Sequence, residues 1–330
     1  MKNKTTTKKR IIRAVIIIII GFILIKYSTY GLWPSKSINI TSKNEDLAKR
    51  LKNHVKKLSN DIGDRNIFLY DKYEEAVKYL TLQFKSFGYD VQFQTFTASE
   101  RKTKNIMVNK IGSEKPEEIF VVGAHFDTCF NPGADDNASG IAGLLELARL
   151  IKKEDIKSTI RFVAFSNEEP PFFHTGNMGS KVYAKELKTK KENVKAALII
   201  ESIGYYSEGK NSQKYPPFFG LFYPNKGNFI AVIGNFSSGW LVKKVKTSFK
   251  NNSNFPIESV STFDFIPGID FSDNWSFWKE GFSAVMITDT ANFRNPNYHT
   301  NKDTFNTLDY YNIAEIVSGF YTVLCEITKK

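Results

Sequence analysis

Cysteine is scarce in this sequence of 330 residues, which contains only Cys129 and Cys325. Two cysteines exclude a disulfide-rich scaffold, a four-cysteine zinc module and an iron–sulfur cluster of the ferredoxin type. A Gly-x-Ser-x-Gly turn and a His-Glu-x-x-His helix are also missing, which disfavours a serine hydrolase built on that turn and excludes that type of zinc site. The chain does have 42% apolar and 14% aromatic residues, which is enough for a sizeable core.

Acidic residues are absent from the first 26 residues, which carry seven lysines and arginines instead. These seven side chains account for more than half of the formal net charge of +12. The excess positive charge is therefore concentrated in a leader and is not spread over a folded face. This distribution argues against nucleic acid as a partner.

The leader also contains an apolar run over residues 14–25, bounded by Arg13 and Lys26. As a helix this run would cover about 18 Å, whereas residues 11–33 would cover about 34 Å and cross a bilayer core of about 30 Å. We therefore predict a membrane anchor within residues 1–33, and a cleaved secretory signal is the alternative. Because the cationic end stays in the cytoplasm, the rest of the chain should be membrane-anchored on the extracytoplasmic side, or secreted or periplasmic after cleavage.

Beyond the leader we predict a linker over residues 34–44 and one folded domain over residues 45–330. Apolar runs typical of buried strands alternate there with amphipathic stretches typical of helices. The predicted strands are 91–95, 105–111, 119–124, 160–165, 196–200, 229–233 and 284–288. The first predicted helix runs from a capping box of Ser42 and Glu45 to residue 58, and the others are 71–87, 141–151, 180–189 and 308–327. This order predicts an α/β fold with a largely parallel sheet covered by helices on both faces.

Acidic and imidazole side chains follow the predicted strands where the strands end. Since the reactive crevice of an open parallel sheet lies beyond the carboxyl ends of its strands, these side chains should meet there. The candidates are His125, Asp127, Asp135, Asp136, Glu168, Glu169, Glu201 and His299. Each motif alone has an ordinary structural explanation, such as a capping aspartate or a hydrogen-bonded loop histidine. Their arrival at several strand ends in one crevice predicts a metal site.

The same motifs resemble peptidase family M28, the co-catalytic zinc peptidases of the aminopeptidase Y type. The resemblance covers about residues 45–330 and includes Gly-Ala-Asp-Asp-Asn-Ala-Ser-Gly at 133–140, Ser-Asp-Asn at 272–274 and Asn-Pro-Asn-Tyr-His at 295–299. It implies a three-layer α/β/α domain with a central mixed sheet, a peptide substrate, aminopeptidase activity and two Zn²⁺ ions per chain. Imidazole and carboxylate ligands would also accept Mn²⁺ or Co²⁺.

Carried over by position, the resemblance assigns one metal to His125 and Glu201 and the other to Glu169 and His299. It makes Asp136 the ligand that bridges the two metals. The position of Glu201 is often Asp in the family; the longer side chain changes the reach to the metal but keeps the charge.

The resemblance also implies roles next to the metals. Glu168 would be the general base, Asp127 would orient His125, and the peptide bond after Asp136 would be cis. Asn274 stands where many relatives have His, and we interpret it as a neighbour of the site and not as a ligand.

An aromatic-rich loop follows Glu201 and is a candidate wall for a pocket that takes an apolar N-terminal side chain. The candidate substrate-binding residues are Tyr205, Tyr206, Phe218, Phe219 and Tyr298. A hydrophobic flap that only packs the loop is an equal alternative. We expect Cys129 to be a loop thiol outside the ligand set, Cys325 to pack in the last helix, and His54 to lie on a helix surface.

Two other functions stay open at this point. A glutaminyl cyclase has a similar fold but uses one zinc to close an N-terminal glutamine, and the Asp-Asp-Asn-Ala-Ser-Gly motif favours the peptidase over it. A catalytically inactive, membrane-tethered binding domain is disfavoured because the ligand and base set is intact. The sequence leaves open the preferred N-terminal residue, aminopeptidase against carboxypeptidase activity, the native metal and the oligomeric state.

Overall fold

The computed structural model describes residues 42–329. The helices of this part are α1 (Ser42–Lys56), α2 (Tyr70–Ser86), α3 (Gly140–Ile151), α4 (Gly179–Thr189), α5 (Gly239–Asn252), α6 (Asn274–Lys279) and α7 (Tyr310–Thr328). The strands are β1 (Gln92–Ala98), β2 (Arg101–Lys110), β3 (Lys115–His125), β4 (Ser158–Phe165), β5 (Asn193–Glu201), β6 (Ile230–Asn235), β7 (Ile257–Thr262) and β8 (Ala284–Thr288).

The eight strands form one sheet in the order β1-β2-β4-β3-β5-β8-β6-β7. Strands β4, β3, β5 and β8 are mutually parallel neighbours, and β6 pairs with β7 in parallel as well. The pairs β1–β2, β2–β4 and β6–β8 are antiparallel. The sheet is therefore mixed, as predicted, and its parallel centre brings four carboxyl ends to the same edge.

Strand β3 shows how the sheet separates two layers of helices. Phe120 and Val122 point into the large core that contains the apolar faces of α1, α2, α3, α5 and α7. Ile119 and Val121 point to the opposite face, where they pack with Tyr183 of α4 and with residues of α6. Burial on both faces explains why this strand is continuously apolar. The α/β/α arrangement is thus confirmed within the described residues.

Several details differ from the sequence-based expectations. Helix α1 begins at Ser42, so the predicted linker over residues 34–44 overlaps it. Strand β7 was not predicted, because only Ile257 is fully buried and the other five residues are partly exposed, without the alternation that marks a half-buried strand. Helix α5 was not predicted either, although its buried residues Leu241, Val245 and Phe249 have helical spacing.

His54 is not on the helix surface, which corrects the prediction for this residue. It is 5% exposed, and its Nε2 atom lies 3.1 Å from Glu146 Oε1 on α3. Its Nδ1 atom lies 2.6 Å from the hydroxyl of Tyr79 on α2. Arg50 and Arg149 also donate to the Glu146 carboxylate. His54 therefore ties α1 to α2 and α3.

The predicted membrane segment lies outside the described residues. Within residues 42–329, no helix combines the length and the apolar character that a membrane span requires.

Candidate metal centre

Two of the predicted ligands stand at the ends of central strands. His125 is the last residue of β3 and is in register with Phe165, the last residue of β4. Glu201 is the last residue of β5 and is in register with Thr288 at the end of β8. The side chains that complete the site come from the loops that leave this edge, so the parallel centre of the sheet determines where the site lies.

A first cluster of donor atoms consists of His125, Asp136 and Glu201. His125 Nε2 lies 3.2 Å from Asp136 Oδ1 and 3.1 Å from Glu201 Oε2. All three residues are at most 5% exposed, and one donor atom from each lies within 4.8 Å of the other two. This is the geometry of three ligands around a common position.

A second cluster adjoins the first through the same aspartate. His299 Nε2 lies 2.9 Å from Asp136 Oδ2 and 3.3 Å from Glu169 Oε2. The sulfur of Cys129 lies within 4.8 Å of donor atoms of Glu169 and His299. The two oxygens of Asp136 therefore face different clusters. The peptide bond between Asp136 and Asn137 is cis, as the family resemblance implies.

The donor atoms fit metal ligation because their hydrogen-bonding capacity is unused. Among the described residues, His125 Nε2, Asp136 Oδ2, Glu169 Oε1 and His299 Nε2 are buried atoms that make no hydrogen bond of acceptable geometry. Buried polar atoms in native proteins nearly always have a partner. A cation at each cluster would supply it.

The charge of the site also favours cations. Burial alone would lower the pKa of His125, but the carboxylate of Glu201 raises it well above its ordinary value. Burial would also lower the pKa of His299, but the nearby carboxylates of Asp136 and Glu169 outweigh burial and raise that pKa to about 11. Burial and the charge of Asp136 raise the pKa of Glu169 to about 8. The concentrated negative charge thus holds protons strongly, and divalent cations would replace them on binding.

Glu168 lies beside the first cluster without joining either one. Its Oε2 atom is 3.8 Å from His125 Nε2, and the residue is 5% exposed. The backbone N–H groups of Glu168 and Glu169 donate to the two carboxylate oxygens of Asp127, at 3.0 and 3.1 Å. Asp127 also lies 3.6 Å from His125 Nδ1. Asp127 therefore positions the loop that carries Glu168 and Glu169. It also lies next to the imidazole of His125, which it was predicted to orient.

Other buried polar residues position the ligands through contacts that sequence reasoning did not predict. Asp303 accepts the backbone N–H groups of Asp135 and Asp136, at 2.9 and 3.1 Å. In the sequence, only its place four residues after His299 relates Asp303 to the site. Its contacts with Asp135 and Asp136 join segments 168 and 167 residues apart and are seen only in the folded chain. Ser272 donates to Glu201 Oε2 at 2.7 Å.

Asp135 and Asn274 are not ligands in either cluster. Asn295 donates to Asp135 Oδ2 at 2.7 Å, and the backbone of Gly204 donates to Asp135 Oδ1 at 2.9 Å. Asn274 is fully buried and donates to the carbonyl of Ile269. Both residues support the loops around the site.

An apolar cleft opens beside the metal-ligand candidates, and Glu201 and Tyr298 belong to its lining. Its other lining residues include Tyr215, Phe219, Tyr223, Phe229, Ile233 and Met286. Two of the candidate substrate-binding residues, Phe219 and Tyr298, thus lie on the cleft.

The other three candidate substrate-binding residues lie outside the lining of this cleft. Tyr205 and Tyr206 pack against the large core, and the hydroxyl of Tyr206 donates to the carbonyl of Ile203. Phe218 is 79% exposed and is not part of the cleft lining. The loop after Glu201 thus directs Tyr205 and Tyr206 toward the core. No pattern in the sequence of this loop predicts that direction.

Both the sequence and the fold of this chain match known proteins. The sequence profile of Peptidase family M28 matches residues 105–323. The protein YfbL of Escherichia coli (strain K12) is 37% identical over 286 residues, which are 84% of this chain and 87% of that protein.

Solved structures of similar fold include enzymes of two kinds. BSAP, a zinc aminopeptidase from Bacillus subtilis, has a TM-score of 0.69 and 16% identity, over 86% of this chain and 95% of its own. Porphyromonas gingivalis glutaminyl cyclase has a TM-score of 0.64 and 20% identity, over 86% of this chain and 99% of its own. At these identities the two structures show likeness of fold alone.

Proposed function

The chain belongs to peptidase family M28 and is therefore a metallopeptidase, and we propose that it is an exported aminopeptidase that works with two zinc ions. The observation that carries the proposal is the position of Asp136 between two clusters of donor atoms. His125, Asp136 and Glu201 would hold one ion, and Asp136, Glu169 and His299 would hold the other. Two adjacent zinc ions supply a water of lowered pKa and polarise the scissile carbonyl.

The general base in this proposal is Glu168. Its carboxylate is buried and lies beside the first cluster but outside both ligand sets. It would take the proton of the attacking water and pass it to the leaving amine. A positioned general base of this kind contributes about 10²–10⁴-fold to the rate.

The surroundings of the clusters support an N-terminal substrate. The apolar cleft that begins at Glu201 and Tyr298 would receive the side chain of the first residue. The two ions would offset the charge of the surrounding carboxylates, and one of the ions could bind the free α-amine of the substrate. An ion beside an apolar cleft favours aminopeptidase over carboxypeptidase activity.

Two adjacent glutamates offer a matched test, because the same substitution should have different effects at each. In Glu168→Gln we expect full zinc content with turnover on aminoacyl-nitroanilides lowered about 10²–10⁴-fold. In Glu169→Gln we expect the loss of one zinc ion per chain, because a ligand is removed. Zinc content is measured by elemental analysis of the purified full chain. Activity should disappear with a chelator and return with added zinc.

Full activity of Glu168→Gln would remove that residue from the role of base. Release of pyroglutamate from N-terminal glutamine, without hydrolysis of the aminoacyl panel, would instead favour the glutaminyl cyclase, whose fold is also matched. Zinc content of one ion per chain in the unaltered protein would point the same way.

A further inference from the structure

The second cluster contains a thiol that the roles described so far do not use. The sulfur of Cys129 and donor atoms of Glu169 and His299 all lie within 4.8 Å of one another. We propose that Cys129 binds the second cation as a thiolate, as an additional ligand beside Asp136, Glu169 and His299. This inference rests on the proposed function, since it requires a cation at this cluster.

Glu169 provides an independent sign that a ligand belongs at this position. The residue is 4% exposed, and its Oε1 atom makes no hydrogen bond among the described residues. His299 Nε2 is also without a hydrogen bond there. A carboxylate oxygen, an imidazole nitrogen and a sulfur that converge in this way are donors that zinc accepts together.

The position of the thiol is determined by contacts on both sides of its loop. Asn131 donates to the carbonyl of Cys129 at 2.9 Å and accepts the backbone N–H of Gly133 at 2.7 Å. Thr128, the preceding residue, accepts the backbone N–H of Arg65 at 2.9 Å. Phe130, the following residue, stacks on Phe68. The sulfur is therefore held near the cluster by the fold of the loop.

With Cys129 the two clusters differ in the number and softness of their donors. The second cluster has four protein donors, one of them sulfur, and the first cluster has three, none of them sulfur. The second cation should accordingly be held more tightly and should be a thiophilic metal. Zinc with four protein ligands can expand to five ligands during the reaction, so a thiolate at the second cluster is compatible with a water shared by both ions.

Binding involves no redox change. The S–H bond breaks, its proton passes to solvent, and a sulfur–metal bond forms in its place. A thiolate ligand therefore has a spectroscopic signature that an unligated thiol lacks.

The test is a titration of the metal-free full chain with Co²⁺ alone. Visible d–d bands report that cobalt binds, and a near-ultraviolet sulfur-to-cobalt charge-transfer band reports a thiolate ligand. We expect the charge-transfer band in the unaltered chain and in Cys325→Ala. We expect it to be absent in Cys129→Ser and Cys129→Ala, which should keep the d–d bands.

Affinity and thiol reactivity give two further readouts. Mutation of a residue that only contacts a metal ligand lowers metal affinity about 10–100-fold. Loss of Cys129 as a direct ligand should therefore lower the affinity for one of the two cobalt ions at least about tenfold. Cobalt should also protect Cys129 from iodoacetamide, with the modified residue identified by peptide mapping.

The results that contradict the proposal are distinct from those that contradict the metal centre. Strong d–d bands without a charge-transfer band, and with Cys129 still alkylated at the metal-free rate, would show that the cation binds without the thiol. Absence of d–d bands in the unaltered chain would overturn the metal centre itself, and with it the role of Cys129.

Discussion

At the scale of single residues, the neighbouring glutamates Glu168 and Glu169 have different surroundings although they follow the same strand. Only Glu169 reaches His299 and the second cluster, and Glu168 lies beside His125. Asp127 accepts a backbone N–H from each of them, so the loop is fixed while the two side chains point apart. This arrangement lets one carboxylate serve as a ligand and leaves the other available for proton transfer.

Asn295 provides a prediction at this scale, because it anchors the loop that carries His299. It is 3% exposed, donates to Asp135 Oδ2 at 2.7 Å and accepts the backbone N–H of Asn297 at 2.9 Å. We expect Asn295→Ala to weaken zinc binding at the second cluster about 10–100-fold, as losses of outer partners do. Competition with a chromogenic chelator measures this affinity.

Asn301→Ala is the matched control, since Asn301 lies two residues beyond His299 and is exposed. It should bind zinc like the unaltered chain. Equal weakening in both variants, or none in Asn295→Ala, would show that the anchoring contact does not support the site.

The ligand candidates could be predicted from the sequence because each follows an apolar strand or a family motif. The supporting contacts could not. The contacts of Asp303 and the inward direction of Tyr205 and Tyr206 depend on the path of long loops. That path is determined by contacts between segments far apart in the chain. We expected Cys129 to be a loop thiol outside the ligand set, and its place beside Glu169 and His299 is seen only in three dimensions.

At the scale of secondary-structure elements, Glu146 is the residue that joins α1 to α3. Its side chain is inaccessible to solvent and accepts from Arg50, His54 and Arg149. Burial would raise the pKa of Glu146, but the hydrogen bonds from His54 and Arg149 outweigh burial and hold it below 4.5. A carboxyl group whose pKa is lower in the folded state stabilises the fold above its unfolded pKa and loses that effect as the pH falls.

We therefore predict a pH-dependent cost for Glu146→Gln. At pH 7 the free energy of unfolding should fall by about 1–3 kcal/mol, because hydrogen bonds to a charged group are lost. The difference from the unaltered chain should begin to shrink below about pH 4.5, where the carboxylate is protonated in the unfolded chain, and should vanish only below the lower pKa of the folded state. Urea unfolding of both chains at pH 7 and at pH 4 or below measures this difference in the free energy of unfolding.

Glu117→Gln is the control for this experiment, because Glu117 is exposed. Its unfolding free energy should match that of the unaltered chain at both pH values. A cost for Glu146→Gln that stays constant down to low pH would contradict the electrostatic explanation.

The elements that could be predicted are those with strong apolar patterns. The buried central strands were found, since burial on both faces leaves continuous apolar runs. Strand β7 at the edge of the sheet has one fully buried residue and carries no such pattern. The antiparallel pairing of β6 with β8 could not be predicted either, because strand direction depends on how the intervening loops cross the sheet.

At the scale of the whole molecule, the cationic and apolar leader supports export of the folded domain. We predict that the full chain is found in the membrane fraction and is cleaved by protease added outside intact cells. A chain that starts at residue 34 should remain in the cytoplasm, because it lacks the leader. N-terminal sequencing of the exported protein distinguishes an anchor from a cleaved signal.

A full chain that stays soluble in the cytoplasm would contradict export. It would leave the metal centre unaffected, since the leader and the donor clusters are separate parts of the chain.

The central claim is that two cations lie side by side and share Asp136. Anomalous diffraction at the zinc edge from crystals of the zinc-loaded full chain tests it most directly. The account predicts two peaks on either side of Asp136, one near His125 and Glu201 and the other near Glu169 and His299. A single peak, with Glu169 and His299 bound to no metal, would contradict it.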